Sequence, residues 1–297
     1  MLPAMAAKPR IAIVGPGRLG SALALELRRA GYRISEIISR DSGRSKRQAR
    51  ELGKKVGARA ATGDKAHLDA DVVWFGVPDR DIAAVAGDLS SRAVWKGRTA
   101  FHSSGALASD ELNVLRKRGA SVASVHPLMT FVRGSVPSLK GVPFAVEGDA
   151  AAVRVGRRIV RDLGGEAFSI RKRHKAAYHA WGAFTSPLLV SALVTAERVA
   201  RAAGLSAAEA RKKMLPIVRQ TIANYAKLGP AGAFSGPLVR GDAEIVRKHL
   251  ETLKKIPEAK EVYLALARSA LRYLPVRQRK ELEEALASRS KLPLQSS

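Results

Sequence analysis

Up to about residue 170, the pattern of apolar and polar positions alternates between two kinds of stretch. Short, nearly unbroken apolar runs stand at Ile11–Val14, Arg33–Ser39, Ala70–Pro78, Arg98–Gly105, Ser121–Pro127, Pro143–Glu147 and Glu166–Ile170. A strand covered by helices on both faces reads as such a run, rather than as strict alternation. Between the runs lie segments with helical spacing at Ser21–Ala30, from Asp79 or Asp81 to Leu89, at Ser109–Lys117 and at Ala150–Leu163. Strand and helix in turn predict an α/β fold, a mostly parallel and doubly wound sheet. Glu51–Lys65 reads as a glycine-punctuated linker around a short strand at Ala58–Ala61. After Ile170 the helical period alone continues. One helix is expected over His174–Ala203, and another runs from Ser206-Ala-Ala-Glu209, a capping box, to Lys227. A loop at Gly229–Pro237 follows, then a helix capped by Asp242 and ending at Lys255, a helix Glu258–Tyr273, and a last helix beyond Pro275 that frays into a polar tail. The expected division is an α/β domain at 1–170 and an all-α domain at 171–297, without internal repeats.

One stretch tests that picture. Ala176 to Ala196 carries no charge and has the length of a membrane span. It also holds Tyr178, His179, Trp181, Thr185, Ser186, Pro187, Ser191 and Thr195, too many polar groups for hydrocarbon. A helix covered on all sides, in a large domain or a homodimer, is the expectation, with no membrane partner. The formal charge of +26 makes nucleic acid the first partner to consider. The basic residues are spread along the whole chain, however, and aromatics at 5% leave few stacking platforms. A solvated basic surface that steers small anions fits better. With no cysteine, disulfides and thiolate metal sites are excluded, no metal is expected, and the composition fits a reducing cytoplasm. Residues 1–10 lack the apolar centre of a secretory signal.

The chemistry sits where strands end. The run Ile11–Val14 leads straight into Gly15-Pro16-Gly17-Arg18-Leu19-Gly20 and then a helix. In that context each glycine does something different. Gly15 turns the chain, Gly17 admits a pyrophosphate to the backbone, and Gly20 lets helix and sheet close up. The second strand ends in Ser39-Arg40, with Arg44, Lys46 and Arg47 following. An NAD site usually shows an acid there, whereas a hydroxyl and a guanidinium suit a 2′-phosphate, so NADP is expected over NAD. Asp41 keeps the NAD alternative open, since a slip of one residue would bring an acid to the ribose. Val77-Pro78-Asp79 is expected beside the nicotinamide half. Two neighbouring strands end in His102-Ser103-Ser104 and in His126, a pairing of hydroxyl and imidazole groups at one sheet edge. Lys175, Tyr178, His179, Gly182 and Ser186 share one helix face, which needs a cleft or an interface. Arg240, in a turn before Asp242, could clamp a carboxylate or phosphate.

These motifs together, Gly15-Pro-Gly-Arg-Leu-Gly20, Val77-Pro-Asp79, His102-Ser-Ser-Gly105, His126-Pro-Leu-Met-Thr-Phe131, Lys175-x-x-Tyr178-His179 and Gly236-Pro-Leu-Val-Arg-Gly-Asp242, carry a resemblance over nearly the whole chain. The chain resembles two-domain bacterial proteins with an N-terminal Rossmann-like domain and a C-terminal domain of unknown function, number 2520. More distantly it is similar to pyrroline-5-carboxylate reductases, prephenate dehydrogenases and β-hydroxyacid dehydrogenases, with a C-terminal part like that of 6-phosphogluconate dehydrogenase. The resemblance implies a Rossmann domain, a nicotinamide cofactor (a deazaflavin acceptor in some related reductases) and an all-helical partner domain. From prephenate dehydrogenases it implies substrate roles for Ser103 or Ser104 and His126, and from β-hydroxyacid dehydrogenases a proton-transfer role for Lys175.

The combined expectation is an NADP-dependent oxidoreductase acting on a small, anionic C=O or C=N compound in a cleft between the domains. His126 is expected to handle the proton, with Lys175 or His179 as the other candidates and Ser103 as orienter, also near the cofactor. Ser104 and Arg240 are expected to bind substrate. The alternative is a non-catalytic NADP-binding sensor or regulatory protein.

Overall fold

The computed structural model describes residues 7–287. Packing divides the chain after Thr185 into two compact units. The first unit is built on β1 (Ile11–Val14), α1 (Arg18–Arg29), β2 (Ile34–Ser39), α2 (Gly43–Val56), β3 (Arg59–Thr62), β4 (Val72–Phe75) and α3 (Ile82–Ser90). It continues through β5 (Thr99–His102), α4 (Asn113–Arg116), β6 (Ser121–Pro127), β7 (Pro143–Gly148), α5 (Ala150–Asp162), β8 (Glu166–Ser169) and α6 (Lys175–Thr185). The strands lie in the order β3-β2-β1-β4-β5-β6-β7-β8. All pairs are parallel except β6 with β7, which run antiparallel.

Each inner strand is buried on both faces, and its residues divide by parity. Ile11 and Ile13 join Leu23, Leu27, Leu52 and Ile159, under α1, α2 and α5. Ala12 and Val14 join Ile82, Leu89 and Leu115, under α3 and α4. That is the doubly wound arrangement expected. The order turns at β1, flanked by β2 and β4, and there the carboxyl ends of the strands open a crevice.

The second unit holds α7 (Pro187–Ala202), α8 (Ala207–Ala233), α9 (Pro237–Arg240), α10 (Ala243–Leu253), α11 (Pro257–Tyr273) and α12 (Arg279–Ala287), with no strand among the described residues. Its core is Val246 and Leu250 from α10, Leu264 and Leu271 from α11, and Leu282 and Leu286 from α12. The capping box at Ser206 and Glu209 forms as expected. Arg211 of α8 donates twice to Glu197 of α7, at 2.8 and 2.9 Å.

Several elements depart from the expectation, each for a local reason. The helix expected over 174–203 breaks at Ser186 (φ −131°, ψ −82°) and restarts with Pro187 as its first residue. Proline lacks the N–H that a continuing helix needs and turns the preceding residue away from helical angles. Ser186 therefore leaves the polar face of α6. Glu51–Val56, read as linker, is the end of α2, and β3 forms the sheet edge against β2. The expected loop at 229–237 stays helical to Ala233, kinked at Gly229 (φ 71°). Asp81 and Asp242 precede helices, but neither side chain caps one. The lead-in at residues 1–6 and the polar tail beyond Ala287 lie outside the described residues.

Candidate functional site

The crevice begins with the glycines. Gly15 has φ +99°, and a Cβ there would sit 2.9 Å from the backbone of Gly76, the residue after β4. A Cβ on Gly20 would fall 2.0 Å from the carbonyl oxygen of Gly15, so the first turn of α1 can close onto the strand only without one. Gly17 is different: its nearest neighbour would be 3.8 Å away. No packing forbids a side chain at Gly17, and what its absence leaves is open room at the mouth of α1. The first-turn N–H groups of α1, starting at Arg18 and Leu19, have no intrahelical acceptors and carry roughly half a positive charge. An anion fits that place.

A cleft of about 820 Å³ extends from this point. Gly15, Pro16 and Gly17 form one wall, Val77 and Pro78 another, and Ser39 and Arg40 a third. Of the expected cofactor residues, Gly15, Pro16, Gly17, Ser39, Arg40, Val77 and Pro78 line this one space, and Arg18, Leu19, Gly20, Asp79 and Ser103 do not. Ser45, Gln48, Asp64, Asp81, Val85 and Asp88 line it too, without having been singled out in sequence. Ser39 is 4% exposed and its Oγ has no hydrogen-bond partner among the described residues. A buried hydroxyl left so is unfavourable unless a ligand completes it. Arg40 Nε donates to Ser45 Oγ at 3.2 Å, and the Asp41 carboxylate is turned onto Lys46. The turned acid, the orphaned hydroxyl and the open Gly17 fit a phosphorylated dinucleotide.

Beyond Pro78, Asp79 links the cleft wall to a second group of polar side chains. Ser104 Oγ donates to Asp79 Oδ2 at 2.7 Å and accepts from Leu107 N at 2.8 Å. Lys175, at the start of α6, is 1% exposed; its Nζ donates to the Ser104 carbonyl at 2.9 Å and to Ser124 Oγ at 2.7 Å. His126, at the end of β6, shares a 2.8 Å hydrogen bond through Nδ1 with the Tyr178 hydroxyl. The His179 ring stands edge-on to His126, 6.3 Å between centroids. Gly105 permits this crowding, since a Cβ there would meet His179 at 2.6 Å and His126 Nε2 at 2.9 Å.

Burial governs the charges. It pushes His126 down to about 4, assisted by the nearby charge of Lys175. It lowers Lys175 to about 8, against the opposing pull of Glu147 and Asp79. The Tyr178 phenol is raised to about 12 by burial. Near neutral pH, His126 is therefore an uncharged hydrogen-bonding group, and Lys175 is the group with both forms within reach.

Two expected residues lie elsewhere. Ser103 points into the sheet, accepting from Trp74 Nε1 and donating to the Val125 carbonyl, both at 2.8 Å, so its hydroxyl is fully engaged in the core. Arg240, in the second unit, holds Asp242 Oδ2 through Nε and Nη2, each at 2.8 Å. Ser124 was not singled out in sequence, although a serine inside an apolar strand demands a partner and could have flagged it. Tyr178 was placed on the polar face without a role.

Two family models match the chain, a Rossmann-like domain over residues 4–127 and a domain of unknown function, DUF2520, over residues 142–270. The two matches follow one another along the chain, each over less than half of it. No curated protein matches it. Among solved structures, a Thermotoga maritima protein is similar at 26% identity and TM-score 0.68, covering 94% of this chain and 98% of its own. A Bacteroides fragilis protein provisionally named an NADP oxidoreductase is similar at 23% identity and TM-score 0.74, covering 88% of this chain and 97% of its own. A reductive aminase from Aspergillus terreus, in complex with NADPH and ethyl-5-oxohexanoate, is similar at 17% identity and TM-score 0.65, covering 94% of this chain and 99% of its own. At these identities the likeness is one of fold. No helix among the described residues is long and apolar enough to cross a membrane.

Proposed function

We propose that this Rossmann–DUF2520 chain is an NADP-dependent oxidoreductase that reduces a small carbonyl or imine compound. The observation that carries the reading is the junction at Asp79. Pro78 lines the dinucleotide cleft, and the next residue holds Ser104, whose carbonyl in turn holds Lys175. A cleft suited to a dinucleotide and a buried lysine that titrates near neutrality are thus two hydrogen bonds apart. The similarity in fold to a reductive aminase complexed with NADPH supports the same reading.

Bound NADPH would supply the hydride. The Gly15–Gly20 turn and the first turn of α1 would hold its pyrophosphate, Ser39 and Arg40 the 2′-phosphorylated ribose, and Val77 and Pro78 the nicotinamide half. Lys175 then provides the proton for the substrate oxygen or nitrogen. Ser124 Oγ and the Ser104 carbonyl occupy two of its N–H bonds and fix the direction of the third. His126, neutral and oriented by Tyr178, is a hydrogen-bonding partner for the substrate rather than the acid. Steering by the basic surface favours an anionic substrate.

We also propose a homodimer, because α7 and α8 leave large apolar residues such as Val190, Ile217 and Tyr225 more than half exposed. Exposed apolar surface of that extent usually marks an interface.

The deciding experiment has two stages. Quenching of protein fluorescence by NADPH measures binding; a panel of keto acids, imines and aldehydes assayed for NADPH oxidation then finds the substrate. A chain that binds neither NADPH nor NADH refutes the proposal.

A further inference from the structure

Cations spread evenly along the chain are gathered by the fold onto one face. α1, α2 and α5 form a layer on one side of the sheet, with Leu23, Leu52 and Ile159 in its common core. Each helix turns its apolar positions to the sheet, which leaves its charged residues to point outward. These three helices carry thirteen Lys and Arg against three Asp and Glu. On the opposite side, α3, α4 and the turns Asp79–Asp81 and Ser109–Leu112 carry two against five. The two sides of one sheet thus differ in sign.

Few of the thirteen cations are neutralised within the protein. Arg29 pairs with Glu26 and Lys46 with Asp41, while Arg157 donates to the Ala167 carbonyl and to Ser169 Oγ. Arg28, Arg44, Arg47, Lys54, Arg154 and Arg161 are exposed and have no ion-pair partner among the described residues. Like charges held in one layer repel one another, and a polyanion laid across them relieves the repulsion.

The side chains also narrow the kind of polyanion. No large apolar residue is exposed on α1, α2 or α5, so the layer has nothing to insert into a bilayer. The three helices hold no aromatic residue, so a single strand finds no stacking platform. A duplex needs neither, since it presents about one charge for every 1.7 Å of its axis and is held through its phosphates. Ten of the thirteen cations are arginine, whose planar fork matches a phosphate.

We propose that the layer of α1, α2 and α5 is a docking surface for double-stranded nucleic acid, bound through its phosphates without regard to sequence. The proposal does not depend on the oxidoreductase reading of the cleft.

The test is fluorescence anisotropy of a short labelled DNA duplex of mixed sequence, titrated with the whole chain between about 50 and 200 mM salt. The logarithm of affinity should fall linearly with that of salt, by about 0.9 for each phosphate contacted. Arg28→Gln, Lys54→Gln and Arg154→Gln in one variant should flatten this slope by about 2–3. All three residues are exposed, so its thermal midpoint should match that of the wild type. A control variant loses the same charge in the second unit, through Arg247→Gln, Lys255→Gln and Arg268→Gln, and should keep the wild-type slope. If the control flattens the slope as much as the layer variant, or the layer variant keeps it, binding does not lie on this layer and the proposal is overturned. Absence of duplex binding at the lowest salt, or a single strand of the same length bound as tightly, overturns it too. Phosphatidylglycerol vesicles bound more tightly than the duplex would give the surface to a membrane instead.

Discussion

Acid stability offers a test of the site that needs no substrate. His102 is fully buried, with Nε2 donating to the Ala108 carbonyl at 2.9 Å and Nδ1 accepting from Ser104 N at 3.1 Å. Burial holds it at about 4, well below its ordinary 6.5, and His126 behaves alike. Both are neutral in the fold at pH 7, and largely neutral in the unfolded chain. As pH falls below 6.5 the unfolded chain takes up protons first, while the fold does not follow until about 4, so stability is lost across that window. Between pH 7 and pH 5 the linkage amounts to about 2 kcal/mol for each histidine. Carboxylates stay mostly ionised over this range and add little. His102→Gln keeps a donor for Ala108 but loses the acceptor for Ser104 N, at a cost of about 1–3 kcal/mol. The variant should therefore be less stable at pH 7, yet lose about 2 kcal/mol less on going to pH 5. Urea unfolding at several pH values, followed through the buried Trp74 and Trp95, gives both numbers. A variant whose stability falls as steeply as that of the wild type would show that His102 is not held neutral by burial.

Gly17→Ala should fold with an unchanged thermal midpoint and lose dinucleotide affinity, whereas Gly20→Ala, whose Cβ meets a carbonyl at 2.0 Å, should lose about 3 kcal/mol of stability or more; calorimetry with NADPH titration separates the two. Ser39→Asp, which places a carboxylate on the cleft wall, should reverse a preference for NADPH over NADH in the same titration. Once a substrate is found, Lys175→Met should lower turnover about 10²–10⁴-fold with cofactor affinity kept; in the wild type, reductive turnover should fall as pH rises through about 8, because the ammonium is the donor. Sedimentation at micromolar protein should show a dimer, and a monomer there would count against the reading of α7 and α8.

What could be read in the sequence was what local chemistry decides. The glycine turn was legible because it joins a strand directly to a helix, a junction where Gly15 and Gly20 have no room for a Cβ, and β6 kept its expected bounds between Ser121 and Pro127. The break at Pro187 was missed because apolar helical spacing continues across it on both sides. The reversal at β7 was beyond reach, since strand direction is set by pairing partners and not by the strand's own residues. Ser103 was misjudged for a similar reason. Its hydroxyl ends a strand beside Ser104, but parallel pairing sets Trp74 against Phe101 and brings the indole N–H onto Ser103. The face shared by Lys175, Tyr178 and His179 was visible as spacing. Its depth was not, because a lysine is expected at the surface and this one is buried.

Depth also separates two kinds of chemistry within the first unit. The turn of Gly15, the end of β2 and the end of β4 form the cleft, lined by glycine backbone, the hydroxyls of Ser39 and Ser45 and the guanidinium of Arg40, with the carboxylates of Asp41, Asp64, Asp81 and Asp88 also on its walls. The ends of β5 and β6 and the start of α6 form the buried cluster, where burial holds two histidines neutral and brings a lysine near neutrality. Each environment would spoil the other's work: water admitted to the cluster would return Lys175 toward 10.5 and keep it protonated, and a cleft as dry as the cluster would penalise the phosphates. The chain keeps them apart with one residue. Asp79 is itself exposed, yet its carboxylate accepts from Ser104, whose carbonyl accepts from Lys175. On the proposed reading, a dinucleotide against Val77 and Pro78 would lie beside Asp79, two hydrogen bonds from the buried lysine.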